Sequence, residues 1–231
     1  MSKLCHKRIA KDMNEYIKNK DNYNMEGIYI EFNQDNLLGP HYAILIGQDD
    51  TPYKGGFFPF EFYYPDNFPI NPPKVTFMSL DSNCRIHPNL YGCGKVCLSI
   101  INTWSGPSWT PVMNIFNVFT SLNGIQLSNK HPIQCEPSQE NNTGDLSINY
   151  NKVVMYETIR LYVIEIMKKT PKQLIVFKPI MEKYYQQFLD YYKEYCNQNK
   201  DVKTLMYPYY SRRTLKTNYE SFLKFFNQTD V

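Results

Sequence analysis

The sequence lacks the features that would place a protein in a membrane or outside the cell. Its 231 residues contain no run of 18 apolar residues, which argues against a membrane-spanning helix. Residues 1–16 are charged throughout and lack the apolar core of a secretory signal. Six cysteines would permit three disulfides, but without secretion we expect reduced thiols and a location in the cytosol or nucleus.

The sequence also lacks a large net charge of either sign. The formal net charge is +3, and all of it lies in residues 200–231, where six Lys and Arg stand against three Asp and Glu. A nucleic-acid-binding protein would show a concentrated basic face, so the balanced charge of the remaining chain argues against that class. With 42% hydrophobic and 16% aromatic residues, we expect one buried core in residues 1–199 and an appendage in residues 200–231.

What the sequence does contain is a group of reactive residues between Cys84 and Trp104. Gly92 and Gly94 occur where a chain would need tight turns or a close approach of backbone, and the thiol of Cys97 follows them. The local chemistry allows three interpretations of this thiol: a nucleophile on a rigid loop, a zinc ligand, or an ordinary buried cysteine.

The zinc interpretation needs four ligands, Cys84, His87, Cys93 and Cys97. Cysteine and histidine both bind zinc. Structural zinc sites commonly use two short ligand pairs separated by a longer stretch, whereas these four residues crowd one short segment, so zinc is the weaker alternative. Burial as a small hydrophobe is the commoner fate of a cysteine, and we expect it for Cys5, Cys84 and Cys196.

The motif His87-Pro88-Asn89, with Cys97 eight positions after the asparagine, resembles the active-site signature of ubiquitin-conjugating enzymes. Segments 52–58, 64–75, 94–100 and 104–111 resemble further motifs of that family in the same order, which makes the match specific. The resemblance covers about residues 7–196 and is greatest to the longer members with a C-terminal extension, such as the BRUCE-type conjugating domain.

This resemblance implies an enzyme that accepts ubiquitin or a ubiquitin-like protein from an activating enzyme as a thioester on Cys97. The enzyme would pass the modifier to a lysine of a protein substrate or to a ligase. A thiol suits this task because thioesters resist water but yield to thiolates and amines. Asn89 would stabilise an oxyanion or support the loop, and His87 and Pro88 would shape the turn. No cofactor, metal, nucleic acid or membrane is required.

Two other functions remain open on the residues alone. A non-catalytic module of the same fold would bind partners without needing a thiol at position 97. A cysteine protease would pair Cys97 with His87 or His131 as a base. No third orienting group is evident, however, and His87 precedes a proline in a turn, where bonding to the backbone is the expected role.

The same resemblance implies partner contacts on the first helix and on two loops. The first helix carries Lys7, Arg8 and Lys11 on one face, which would contact the activating enzyme and ligases, with a merely solvated face as the alternative. Ligase contacts are implied at Ile70 and Pro107. The isoleucine replaces a common phenylalanine and the neighbouring loop has an extra glycine, Gly106, so we do not expect ordinary RING-type binding to carry over unchanged.

A departure from the family concerns the acceptor lysine. Many members place an acid beside it, where this chain has Gln134, and Glu136 is the nearest acid. An amide can orient a lysine but cannot take its proton. We therefore expect slow discharge to free lysine unless a partner or Glu136 completes the site.

Hydrophobic periodicity, together with the resemblance, predicts an α+β fold. It comprises an N-terminal helix, a four-stranded antiparallel meander, the active-site cysteine loop, C-terminal helices and a helical C-terminal extension. Strands are expected over 27–32, 41–47, 57–63 and 74–78. Helices are expected from Ser2, from Thr110-Pro111, over 151–169, over 174–195 and around 219–226, with residues 198–202 as a hinge. The expected inward residues include Ile9, Met13, Tyr16, Ile17, Phe58, Phe60, Phe62 and Val112.

Overall fold

A four-stranded antiparallel sheet forms the centre of the computed structural model, which describes residues 3–210 and 213–228. The strands are β1 (Ile28–Glu31), β2 (His41–Ile46), β3 (Phe57–Tyr63) and β4 (Lys74–Phe77), in the order β1-β2-β3-β4. Each strand pairs with its neighbour in sequence, and Ala43 of β2 lies opposite both Ile30 and Phe60. The predicted meander is confirmed, with strand ends within one residue of those expected.

Both faces of the sheet are covered. Phe58, Phe60 and Phe62 alternate along β3 and face the first and second helices, in a core that also contains Ile9 and Phe119. The other face presents a second set of apolar side chains, Tyr29, Ile44, Ile46 and Phe57, to the C-terminal helices. Burying one such phenylalanine contributes about 1.5–3 kcal/mol, so the β3 phenylalanines are a large part of the core, as predicted.

Helix α1 (Lys3–Met25) packs on the sheet through one face. Its buried residues are Cys5, Ile9, Asp12 and Tyr16, at the 4-3-4 spacing of one helical stripe. Ile17 was expected in this stripe, but it is 67% exposed because it lies about 100° around the helix from Tyr16. The expected cap, Ser2, lies outside the described residues.

Helix α2 (Ile115–Ser121) begins after Asn114, so the prediction of a start at Thr110-Pro111 is wrong. Asn114 Oδ1 accepts from the backbone N–H of Phe116 and of Asn117, and the Asn117 side chain returns a bond to Asn114 N. Residues 110–113 instead form a turn closed by Met113 N and the Thr110 carbonyl, and Arg8 donates to the carbonyl of Pro111 within it. Val112, expected in the core, is 86% exposed.

The later helices follow a nearly continuous path. Helix α3 (Asp145–Ile159) passes through a π-helical segment, Arg160–Glu165, into the short α4 (Ile166–Lys168). After Thr170-Pro171, where a break was predicted, a 3₁₀ segment, Lys172–Phe177, leads into α5 (Lys178–Asn199). The second predicted helix therefore begins in 3₁₀ form rather than as α-helix. No helix within residues 3–210 and 213–228 has the length and apolar character needed to cross a membrane.

The C-terminal extension folds against the rest of the chain. Two short paired strands, β5 (Thr204–Met206) and β6 (Thr214–Lys216), precede the predicted amphipathic helix, α6 (Tyr219–Gln228). The hairpin was not predicted. Phe222 and Phe226 are buried in the same cluster as Tyr192 of α5. Residues 198 and 199, which were predicted to be part of a hinge, belong to α5. The division of the chain into a core domain of residues 1–199 and an extension of residues 200–231 stays a prediction.

Candidate active site

The His-Pro-Asn motif forms a turn that returns the chain to Cys97. Leu90 makes bridges to His87 and to Val96, and the backbone N–H of Cys97 donates to the carbonyl of Asn89 at 2.9 Å. Two residues that are eight positions apart in sequence are thus neighbours in space. A backbone hydrogen bond holds Cys97 next to Asn89.

Two glycines allow the loop to lie against its surroundings. A Cβ at Gly92 would lie 2.1 Å from the carbonyl oxygen of Ser82, closer than any side chain tolerates. Gly94 has a φ of +91° and its carbonyl accepts from Phe77 N at 2.9 Å, which docks the loop onto the end of β4. Close backbone approach, predicted for both positions, is what the structure shows.

His87 is a fully buried residue of the turn. Its Nδ1 accepts from the backbone N–H of Asn89 at 2.9 Å. Burial, with a smaller contribution from the nearby charge of Arg85, lowers the pKa of His87 to about 3. A neutral ring whose acceptor nitrogen is occupied is poorly suited to act as a base. The other base of the protease alternative, His131, has its Nδ1 3.0 Å from Ser147 Oγ.

Cys97 itself is only 1% exposed. The next residue, Leu98, is held by Thr103, whose Oγ1 accepts from Leu98 N at 2.9 Å and closes the 3₁₀ turn Ser99–Ile101. Asn89 is half-buried, and Pro88 is buried. A reagent can react with the Cys97 thiol only by touching the sulfur. Because the residue is buried, neighbouring groups must first move aside.

The four candidate zinc ligands do not converge. Cys84 is buried with its Sγ 3.6 Å from Tyr207 Oη, whereas Cys93 is exposed on the turn. Across the part of the chain that the structure describes, no three His, Cys, Asp or Glu side chains are grouped to hold a metal. The described residues therefore do not bring the four candidate zinc ligands together into one site.

Two loops predicted to bind ligases are joined to each other. Trp109 Nε1 donates to the carbonyl of Pro69 at 2.8 Å, and its ring lies 6.0 Å from that of Phe68. Ile70, which is 66% exposed, and Pro107, also exposed, project from these connected loops. Both residues are therefore exposed on loops that contact each other.

The basic face of α1 divides into exposed and engaged residues. Lys7 and Lys11 are exposed, as docking residues would be. Arg8 is half-buried, bonds to Asp12 Oδ1 at 2.8 Å, and donates to the carbonyl of Met113. Burial raises the pKa of Asp12, against the opposing effect of Arg8. Arg8 thus fastens α1 to the segment before α2, a role that the sequence did not indicate.

Gln134 and Glu136 are both engaged with other groups. Gln134 Nε2 donates to the carbonyl of Asn142 at 3.3 Å. Glu136 Oε2 accepts from Tyr210 Oη at 2.8 Å and lies 3.8 Å from Arg85 Nη2. Sequence reasoning missed Arg85 and Tyr210, because local spacing carries no signal for a pair 125 positions apart.

Comparisons with known proteins identify the family of this chain. A family model described as Ubiquitin-conjugating enzyme matches residues 8–158. The chain is 36% identical to ubiquitin-conjugating enzyme E2 Z of Xenopus tropicalis over 84% of its own length and 61% of the relative's. It is 38% identical to the human E2 Z over 74% of its length and 49% of the relative's. The chain thus spans about half to three fifths of the length of these relatives. By the family match, the chain belongs to the ubiquitin-conjugating enzymes.

Proposed function

We propose that this chain accepts ubiquitin or a ubiquitin-like protein from an activating enzyme as a thioester on Cys97. It then transfers the modifier to a substrate lysine or to a ligase. The observation that carries the proposal is the bond between Cys97 N and the Asn89 carbonyl, which sets a cysteine beside the His-Pro-Asn turn in a member of this family.

In both transfer steps the bonds formed and broken balance, and no cofactor is needed. In loading, the Cys97 sulfur attacks the thioester carbonyl carbon on the activating enzyme, a new C–S bond forms, and the donor cysteine leaves with the proton. In discharge, a lysine nitrogen attacks the same carbon, a C–N bond forms, and the Cys97 thiol is released. Each step passes through an oxyanion, for which the Asn89 amide is a suitable donor. Donors of this kind contribute about 3 kcal/mol.

The surroundings of Cys97 support an acyl group attached to a polypeptide. An open groove of about 660 Å³ lies beside the active-site loop, between residues 71–76 and 93–96. It gives an extended chain room next to the loop. The buried state of Cys97 means that loading is accompanied by local rearrangement, which contact with the activating enzyme would bring about.

Partners and location follow from the same proposal. Lys7 and Lys11 would meet the activating enzyme, and Ile70 with Pro107 would meet a ligase. All six cysteines lie in the described residues and none forms a disulfide. Reduced thiols are usual in the cytosol and nucleus, which is the location that we propose.

A loading assay tests the function. The wild type, incubated with activating enzyme, ATP and ubiquitin, is expected to form an adduct that a thiol reductant cleaves. Cys97→Ser is expected to form an oxygen ester that survives the reductant, because an alkoxide is a poorer leaving group than a thiolate. Cys93→Ser, four positions away on the exposed turn, is the matched control and should load normally.

Two outcomes would contradict the assignment. Normal thioester on Cys97→Ser with none on Cys93→Ser would move the nucleophile to the neighbouring cysteine. No adduct with ubiquitin or any ubiquitin-like protein, each supplied with its own activating enzyme, would favour the non-catalytic binding module.

A further inference from the structure

Arg85, two residues before the His-Pro-Asn motif, lies between two tyrosine rings. Its Cζ is 3.8 Å from the centroid of the Tyr91 ring and 4.0 Å from that of Tyr210. Tyr91 belongs to the loop between Asn89 and Cys97, whereas Tyr210 belongs to the C-terminal extension. Arg85 therefore connects the extension directly to the active-site loop.

Polar contacts hold Arg85 in this position. Glu136 Oε2 accepts from Tyr210 Oη at 2.8 Å and lies 3.8 Å from Arg85 Nη2. The same Nη2 donates to the carbonyl of Pro88, and the backbone carbonyl of Arg85 accepts from Tyr150 Oη at 3.1 Å. The guanidinium is thereby fixed against the peptide group that immediately precedes Asn89.

The extension is itself anchored nearby. Tyr207 Oη donates to the fully buried carboxylate of Glu157 at 2.7 Å. Arg213 Nη2 donates to the carbonyl of Asn83 at 3.1 Å, and Tyr207 N donates to the carbonyl of Arg213 at 2.9 Å. One bond fastens the extension to α3 and another fastens it to Asn83, two residues before Arg85, so these anchors flank Tyr210 in the sequence.

The contacts of Arg85 bracket Asn89. Pro88 precedes Asn89 and Tyr91 follows it by two residues, and both contact the guanidinium. Asn89 in turn accepts the backbone bond from Cys97. A displacement of the guanidinium would therefore move the backbone on both sides of Asn89, and with it the distance from the Asn89 amide to the thioester.

We propose that the C-terminal extension positions the active site through a clamp, defined as Arg85, Glu136 and Tyr210. These are positioning residues, since they act on the reacting groups through Asn89. The proposal rests on the function proposed above. A misplacement of about 1 Å near reacting atoms costs up to about a hundredfold in rate, so loss of one side of the clamp is expected to slow discharge about tenfold.

The experiment measures single-turnover discharge from enzyme already loaded with ubiquitin, across a range of free-lysine concentrations. Tyr210→Ala is expected to lower the maximal rate about tenfold without changing the lysine concentration at half-maximal rate. Tyr210→Phe keeps the ring on Arg85 and should retain most of the rate. Arg85→Lys keeps the charge but loses the planar group that stacks, so it should resemble Tyr210→Ala.

A matched control separates positioning from general loss of stability. Phe222→Ala removes a buried aromatic of the extension that packs on Tyr156 rather than on Arg85. It is expected to lower the melting temperature while the discharge rate of the folded, loaded enzyme stays unchanged. Should Tyr210→Ala fail to fold, Arg85→Lys and Tyr210→Leu provide the same comparison.

A double variant tests whether the clamp acts through Asn89. If it does, Tyr210→Ala should have no further effect on discharge in an Asn89→Ala background. Additive effects, or wild-type discharge from both Tyr210→Ala and Arg85→Lys, would overturn the inference while leaving the function intact. Absence of a thioester on the wild type would overturn the proposed function, and the inference with it.

Discussion

Acidification from about pH 7.5 to about pH 5 is expected to destabilise the protein through two buried histidines. His41 and His87 are inaccessible to solvent, and the Nδ1 of each accepts a backbone N–H at 2.9 Å, from Asn33 and Asn89 respectively. Burial lowers the pKa of His41 to about 4. Burial and the charge of Arg85 lower the pKa of His87 to about 3. Protonation of either Nδ1 would break its backbone bond.

The direction of the pH effect on stability follows from the protonation of histidine in the unfolded chain. An unfolded histidine, with a pKa of about 6.5, binds a proton below that pH, whereas the folded ones stay neutral until about pH 4 or 3. Stability is therefore complete above about pH 6.5 and falls as the pH drops toward the folded pKa values. Each pH unit below about 6.5 lowers the free energy of unfolding by about 1.4 kcal/mol per histidine. At about pH 5 the loss is therefore about 2 kcal/mol for each histidine and about 4 kcal/mol for both. For a chain of this size, that lowers the melting temperature by roughly 8–16 °C.

Urea unfolding at the two pH values measures this loss, and variants assign it. His41→Asn and His87→Asn supply an amide oxygen near the position of Nδ1 without a titrating ring, so each should remove about half of the histidine-dependent pH effect. His6→Gln, at an exposed histidine, is the control and should leave the effect unchanged. Burial raises the pKa of Asp12, which acts with the opposite sign, so the variants are compared with wild type at both pH values. Full retention of the pH effect in His41→Asn and His87→Asn would refute the reasoning.

Two further predictions concern the acceptor loop and the start of α2. Gln134→Asp is expected to raise discharge to lysine near neutral pH severalfold, because a carboxylate can help to deprotonate an amine whose pKa is about 10.4. Gln139→Asp is the control, because it adds the same charge elsewhere in the loop. If Gln134→Asp and Gln139→Asp discharge to lysine at equal rates in a single turnover, position 134 has no special role in lysine activation. Asn114→Ala should cost about 1 kcal/mol by chemical unfolding and Thr110→Ala much less, since Asn114 caps α2. A larger loss from Thr110→Ala would contradict the observed helix start.

The central sheet could be predicted because its signals are local. Phe58, Phe60 and Phe62 alternate in β3, and short turn-forming segments on both sides leave only antiparallel pairing as a connection. The turn at the active site is local in part, since the bond from Cys97 N to the Asn89 carbonyl joins residues eight positions apart. Its docking onto β4 depends on the bond from Phe77 N to the Gly94 carbonyl, which joins residues 17 positions apart.

Other features depended on contacts between distant residues. Thr110-Pro111 has the composition of a helix start, but this segment is bound by Arg8 of α1 and the helix begins after the Asn114 cap. Ile17 follows the apolar pattern of α1, yet the sheet meets the helix along the stripe that contains Asp12 instead. In each case the local preference was weaker than one specific tertiary interaction.

The sequence by itself determined the order of the strands, because short turn-rich connections favour an antiparallel meander, and its motifs, through their resemblance to a known family, implied the α+β fold and the association of Asn89 with Cys97. Only the tertiary structure decided how the extension meets the active site. Tyr210 is 125 positions from Arg85, and no pattern in the chain relates them. The buried bond from Tyr207 to Glu157 helps to hold the extension near Arg85, and it joins residues 50 positions apart that meet only through folding.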